Sequence, residues 1–273
     1  MSESFSANLL NSRFNHTSQF GEDGILKAIF NAIQPQTKWC VECGAHDGRD
    51  MSNTLLLREG EGWSGVMIEG SAEGFRALQT ACTDVARHWL VPEMVTEENT
   101  MDKILSRTPI PVNFDLLSLD IDGNEYCIWS QISRYRARVV VVEFNPSFGA
   151  DVFFVQNPKA NAIGSSLQSI ARLGSFLGYT LVCVTDVNCI FVDSPEVVAL
   201  NLAPKTPQEL FWERWSNGDC PWMPRTVSDY NGNHYIIRAG GWNGGQLKQL
   251  LPGTELDTLR DRSEQLQGPI LAK

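Results

Sequence analysis

The chain has 273 residues, a formal net charge of −10, a pI of about 4.9 and a 42% apolar fraction. That charge repels a phosphate backbone, so nucleic-acid partners are excluded on average-field grounds. No apolar run reaches the ~18 residues needed to cross a bilayer, so no membrane association is expected. The start carries no basic stretch followed by an apolar one, and the expected location is the cytoplasm. The seven cysteines lie scattered in apolar stretches and read as small buried hydrophobes of a reducing compartment.

The first helical pattern follows SQFGEDG, with Ile25, Leu26, Ile29, Phe30 and Ile33 at helical spacing. KWCVEC (38–43) reads as a first strand. Its Cys40 and Cys43 form a CxxC, but an odd spacing on a strand sends the sulfurs to opposite faces. SNTLLLRE (52–59) reads as a helix with Ser52 as N-cap. SGVMIE (64–69) is a second strand, and a helix over 71–82 is capped by Ser71. RHWLVPEMV (87–95) is a weaker third strand, followed by a helix over 97–106. FDLLSLDI (114–121) is a fourth strand, 125–132 a short helix, and ARVVVVEFN (137–145) a fifth strand. A helix over 165–178 precedes a hairpin in 179–193. Strands alternating with helices imply an α/β fold with a mainly parallel sheet. Runs such as VVVVEF lack alternation, as in strands covered on both faces. The hairpin suggests one antiparallel strand at the edge. The regular pattern ends near residue 195, which sets the expected domain at 1–195. A Trp-rich extension follows over 196–273 (Trp212, Trp215, Trp222, Trp242), as a cover, lid or oligomer contact.

In such sheets ligands bind beyond the carboxyl ends of the strands. The first strand is followed by Gly44-Ala45-His46-Asp47-Gly48 and the second by Glu69-Gly70. The fourth is followed by Asp120-Ile121-Asp122-Gly123, and the fifth ends in Glu143-Phe144-Asn145. The first turn has no GxGxxG spacing, and Glu42, Asp47 and Asp50 would repel a pyrophosphate. Carboxylates beside a glycine turn suit a ligand with hydroxyls and positive charge. S-adenosylmethionine has both, and Glu69 is placed to accept from its ribose diol. The alternative for Glu69 is an acidic group ahead of the next helix.

The blocks VECGAHDG, SNTLLL, WSGVMIEG, LLSLDIDGNEYCIW, VVVVEFNPSFG and GSSLQSIARLGSFLGYTLVCVTDVNCIFV resemble, in order, those of the FkbM-like S-adenosylmethionine-dependent methyltransferases. SQFGEDG and VTEENTMDKIL resemble blocks of one subgroup. The similarity spans about residues 17 to 193. It implies a Rossmann-like class I methyltransferase fold, with seven strands and helices on both faces. It also implies O-methylation of a sugar or natural-product hydroxyl. Carried over by position, Glu42, Gly44, Ala45, Asp47 and Gly48 line the methionine and ribose end of the cofactor. Asn53, after Ser52, starts the helix beneath it. Glu69, with Gly70, holds the ribose hydroxyls, and Asp120 faces the amine or the reacting methyl. His46 departs from the pattern, as a bond within the turn or a catalytic group.

A hydroxyl acceptor needs a base or a metal. Asp120, Asp122 and Glu143 are the candidate catalytic carboxylates. With Asn145 they form an oxygen-rich group suited to Mg²⁺ or another divalent cation. The alternatives are that Asp122 caps the turn at Gly123 and that Glu143 pairs with Arg138 or Lys159. Gln19, Glu22 and Asp23 either close over the cofactor or cap the first helix. The small-molecule or carbohydrate acceptor is expected to meet Asn145 to Asp151 and the Trp-rich tail. Homo-oligomerisation is compatible with this reading. Two other function classes stay open: a catalytically silent binding or scaffold protein on the same fold, and a nucleotide-sugar-binding enzyme of other chemistry.

Overall fold

The computed structural model describes residues 8–159 and 164–215, together with the backbone of Pro224–Ser228 and His234–Arg238. Nine strands lie within these segments: β1 Trp39–Cys43, β2 Ser64–Ile68, β3 His88–Val91, β4 Asn113–Leu119, β5 Arg136–Glu143, β6 Tyr179–Val184, β7 Asn188–Asp193, β8 Pro224–Ser228 and β9 His234–Arg238. The six α-helices are α1 Glu22–Ile33, α2 Ala72–Ala81, α3 Met101–Leu105, α4 Glu125–Gln131, α5 Leu167–Phe176 and α6 Pro207–Arg214. Seven strands form one sheet in the order β3-β2-β1-β4-β5-β7-β6, and β8 and β9 pair separately. This is a Rossmann-like α/β arrangement. The sheet is mixed, because β7 runs antiparallel to both β5 and β6.

The antiparallel strand was expected at the edge; it lies one place inside it. Burial explains the exchange. NCIFV of β7 is buried throughout, whereas Thr180 and Leu181 of β6 are only half-buried, so β6 takes the edge.

Two apolar layers cover the sheet. One contains Val41, Cys43, Leu117, Val140, Val142 and Phe191. The other contains Cys40, Leu116, Val139, Val141 and Ile190, together with Ile25, Leu26, Ile29 and Phe30 of α1. Cys40 and Cys43 therefore face opposite layers, and both are free thiols. Helix α1 begins at Glu22 and Asp23, where negative charge suits the helix dipole. It ends before Gln34-Pro35, since a residue preceding proline avoids helical geometry.

Several elements are shorter than their sequence signals. β3 stops before Pro92, which cannot donate to the ladder. α3 keeps five residues behind its Thr100 cap. The helix expected over 52–59 is a π-helical turn at Leu56–Gly60. Its Arg58 is 2% exposed, and the Ser52 hydroxyl accepts from Thr54 N and Leu55 N as a cap does.

The core also continues past residue 195. α6 has a capping box between Thr206 and Glu209 and Pro207 in its first turn. It carries Leu210 and Phe211 into the first apolar layer, with Trp215 just after it, while Trp212 stays 46% exposed. Trp222 and Trp242 lie outside the described residues. No helix among the described residues is long and apolar enough to cross a membrane.

Candidate functional site

The strand order reverses between β1 and β4, so the crevice at their carboxyl ends is the place where such sheets bind ligands. Two features shape its floor. Gly44 has φ +85°, and a Cβ there would lie 1.7 Å from the carbonyl oxygen of Asp120. The exits of β1 and β4 thus touch backbone to backbone. Gly44 N and Ala45 N both donate to Ile68 O, tying the same turn to β2.

Glu42 does not face an open crevice. Its carboxylate accepts from Ser52 Oγ at 2.8–2.9 Å, Asn53 N at 2.9 Å and Thr54 Oγ1 at 2.7 Å. Arg58 Nη2 lies 3.7 Å away. Arg58 also donates to Thr54 Oγ1 and to Gly48 O. Asn53 is buried and donates to Ser118 Oγ of β4. Glu42 and Asn53 hold the 44–54 segment against the sheet. Asp47 stays at the turn surface. Burial works against its charge, but the backbone N–H groups of Arg49 and Asp50 outweigh it and hold the carboxyl below its ordinary range. His46, with φ +45°, is exposed, and its ring lies 3.9 Å from Asp47.

Glu69 stands one residue beyond β2 and is 9% exposed. Its Oε2 accepts from His46 N at 2.7 Å and its Oε1 from Ser71 N at 2.6 Å. One carboxylate therefore joins the loops after β1 and β2. Each oxygen has a second lone pair, so two hydroxyl donors can still be accepted. Gly70 leaves room for Met94, whose sulfur would lie 2.9 Å from a Cβ there. Met94 is 63% exposed and gives this side of the crevice an apolar surface.

Asp120 stands just beyond β4 and Glu143 ends β5, each one step past the paired residues Leu119 and Val142. Burial, followed by the charges of Glu125, Asp122, Glu22 and Glu42, pushes Asp120 up to about 7. Burial, then Asp120, Glu125 and Asp122, pushes Glu143 up to about 10, and a hydrogen bond to Asp120 adds to it. Glu125, which the sequence reading passed over, completes the group. It is fully buried, and its Oε1 accepts from Ile121 N at 3.2 Å and Gly123 N at 2.7 Å. The turn at Gly123 is thus held by Glu125 rather than by Asp122, which is exposed at φ +59°. Arg138 is engaged at the opposite end of the sheet by Asp115 and Glu196. Among the described residues, no ion pair reaches Glu143.

A raised carboxyl pKa costs stability as pH climbs. Glu143 is protonated in both folded and unfolded chains below about 4.5. Between there and its folded value the folded state must hold a proton that the unfolded chain releases. Glu143→Gln is therefore expected to melt with the wild type near pH 4.5 and to be more stable at pH 8, by on the order of 2 kcal/mol. Thermal melts across that range check this. A variant that is less stable than the wild type at pH 8 contradicts the burial of an uncompensated acid.

The divalent-cation expectation at Asp120, Asp122, Glu143 and Asn145 does not fit this placement. Among the described residues, no three His, Cys, Asp or Glu side chains form a group that could hold a metal. Asn145 Oδ1 accepts from Ser147 N at 2.8 Å.

The N-terminal segment crosses the same edge. Asp23 Oδ2 accepts from the backbone N–H of His16, Thr17 and Ser18. Glu22 accepts from Phe20 N, Thr185 Oγ1 and Asn188 Nδ2. Thr17 Oγ1 donates to Ser52 O. Both acids shape the segment. Gln19 accepts from Asn15 Nδ2 through its backbone carbonyl. On the β5 side, Phe148 and Phe154 stack at 4.6 Å. Gln156 donates to Asn124 Oδ1 and accepts from Gly164 N. These contacts give residues 145–158 the form of a wall. A cavity of about 560 Å³ lies beside edge strand β6 between Leu9, Leu181 and Val197, away from every carboxylate of the crevice.

No protein-family model matches the chain, and no curated protein matches it. Solved structures similar to it include a putative O-methyltransferase from Klebsiella pneumoniae, at 15% identity and a TM-score of 0.42, covering 69% of this chain and 87% of that one. A SAM dependent methyltransferase from Aquifex aeolicus aligns at 10% identity and a TM-score of 0.37, over 61% of this chain and 87% of that one. The CMeT domain of the citrinin polyketide synthase aligns at 14% identity and a TM-score of 0.43, over 63% of this chain and 51% of that one.

Proposed function

We propose that this chain is an S-adenosylmethionine-dependent methyltransferase of the FkbM-like kind, transferring methyl to a hydroxyl of a sugar or natural-product molecule. The observation that carries this reading is Glu69. It is a carboxylate fixed between the first two loops, with an open lone pair on each oxygen, beside a glycine turn at the switch point. A ribose diol offers two donors at that separation, and Met94 beside it suits the face of a base. The cofactor supplies an electrophilic methyl on a cationic sulfur, which becomes a neutral thioether when the methyl leaves.

The chain's own residues do the rest. Ordered along the sheet, Glu69, Gly44, Asp120 and Glu143 run from β2 to β5. The ribose site thus falls over β2 and β1, the reacting centre over β4, and the acceptor over β5 and the 145–158 wall. Aligning nucleophile and methyl supplies much of the rate of such a displacement. Asp120, raised toward neutrality, accepts the acceptor's hydroxyl proton as the new carbon–oxygen bond forms.

Calorimetric titration with S-adenosylhomocysteine tests the assignment. The wild type is expected to bind it in the micromolar range. Glu69→Ala should weaken binding by about 1–3 kcal/mol, the scale of lost hydrogen bonds to a charged group, while keeping the wild-type circular dichroism. Absence of binding to the folded wild type would sink the reading.

A further inference from the structure

We propose that Asp120 and Glu143 act as one carboxyl pair holding a single proton between them, and that seating a cationic cofactor group against the pair expels that proton. The identity of the cation rests on the methyltransferase reading; the pair itself does not.

The pair follows from strand register. β4 and β5 are adjacent and parallel, and Leu119 faces Val142. The next residue of each strand is a carboxylic acid, and alternation turns both toward the layer that holds Val141 and α1. Gly44 brings the Asp120 backbone into contact with the first loop, which fixes where the strand end places its acid. Two carboxyls in hydrogen-bonding contact cannot both be ionised. Protonated Glu143 donates to ionised Asp120.

The surroundings favour keeping that proton. Asp120 is faced by Glu125 of α4, Asp122 of its own turn, Glu22 of α1 and Glu42 of β1. Glu143 is faced by Glu125 and Asp122. Glu42 has Arg58 nearby, and Glu22 has three hydrogen-bond donors. Among the described residues, no cation bonds to Asp120, Asp122, Glu125 or Glu143. A separate observation points to a missing partner. Glu125 is fully buried, its Oε1 is used by two backbone N–H groups, and its Oε2 has no hydrogen-bond partner among the described residues. A fully buried carboxylate oxygen without a donor is costly, and it stands among the charges acting on both members of the pair.

A cation placed at this group reverses the balance. It favours the doubly ionised pair, so the shared proton leaves for solvent as the cation enters. No electron moves and no covalent bond other than the acid O–H is broken. Binding then releases a proton, and affinity rises with pH until the pair loses its proton unaided.

S-adenosylhomocysteine, whose amino group is cationic at neutral pH, is the probe. Calorimetry between pH 7.5 and pH 8.5, in phosphate and in Tris, is expected to show binding enthalpies that differ by the heat of ionising one buffer molecule. The dissociation constant should fall by up to about tenfold per pH unit across this range. In Glu143→Gln both effects should vanish while the probe still binds. Equal enthalpies in the two buffers with a pH-independent dissociation constant would overturn the coupling, and the methyltransferase reading would survive. Failure of the probe to bind overturns that reading and the coupling together. Infrared spectra of the ligand-free protein judge the pair by itself. At pH 7 the wild type should show a carboxylic-acid carbonyl band that Glu143→Gln lacks, and its absence would refute proton sharing whatever the ligand.

Discussion

Glu42→Ala is expected to cost the fold about 3–5 kcal/mol, the range for removing one member of a buried ion pair. The cost does not come from one contact. Arg58, 2% exposed, keeps its bonds to Thr54 and Gly48 but loses the only negative side chain paired with it among the described residues. The hydroxyls of Ser52 and Thr54 and the N–H of Asn53 lose their acceptor together. Urea denaturation measures the loss. A double-mutant cycle with Arg58→Met separates the charge effect from the lost hydrogen bonds, because removing both charges leaves no buried cation behind. The double variant should fall short of the sum of the singles by at least ~2 kcal/mol. Additivity would mean that the 3.7 Å approach carries no energy. Glu42→Ala should also lose S-adenosylhomocysteine binding, although the side chain has no lone pair left for a ligand.

That outcome marks what the sequence could and could not disclose. The order of strands and helices was legible because each apolar run is bounded by glycine, proline or a capping serine, as at Ser71 and Ser166. The convergence of four acidic strand ends followed from the sheet rule alone. The direction in which each acid points did not. Glu42 and Glu69 both stand at strand ends, yet one is enclosed by three neighbouring residues from 52–54 and the other bridges two loops with lone pairs to spare. Twelve residues of sequence separate Glu42 from Thr54, and nothing in the spacing states that the chain folds back to cap its own strand. Glu125 was hidden for a related reason. An acid at the start of a helix reads as a dipole partner, and only its burial shows that it organises the Asp120 turn. The swap of β6 and β7 turned on burial as well. CIFV after Asn188 lacks a polar position, which suits an inner strand, but two apolar strands of one hairpin compete for that place and only packing decides.

Gly44→Ala is expected to be more damaging than Gly48→Ala, by at least ~2 kcal/mol, although both glycines have positive φ. The left-handed conformation alone costs a residue with a Cβ roughly 1–2 kcal/mol, and both variants bear it: Gly44 at φ +85° and Gly48 at φ +71°. What differs is the obstacle. At Gly48 the new methyl meets Leu78 Cδ1 at 2.5 Å, the end of a side chain that can rotate aside. At Gly44 it meets Asp120 O at 1.7 Å and Asp120 C at 2.8 Å, and backbone can yield only if the exits of β1 and β4 separate. Overpacking of this kind adds about 1–3 kcal/mol or more. Separation would also carry Asp120 away from Glu143 and draw Gly44 N and Ala45 N from Ile68 O. Gly44→Ala should therefore lose cofactor binding and the pH-linked proton release even in whatever fraction stays folded. Gly48→Ala should lose stability and keep both. Denaturant melts of the two variants, followed by titration of each with S-adenosylhomocysteine, decide the matter. Equal losses would show that only conformational strain matters at this turn and that its close contact with Asp120 does not govern the site.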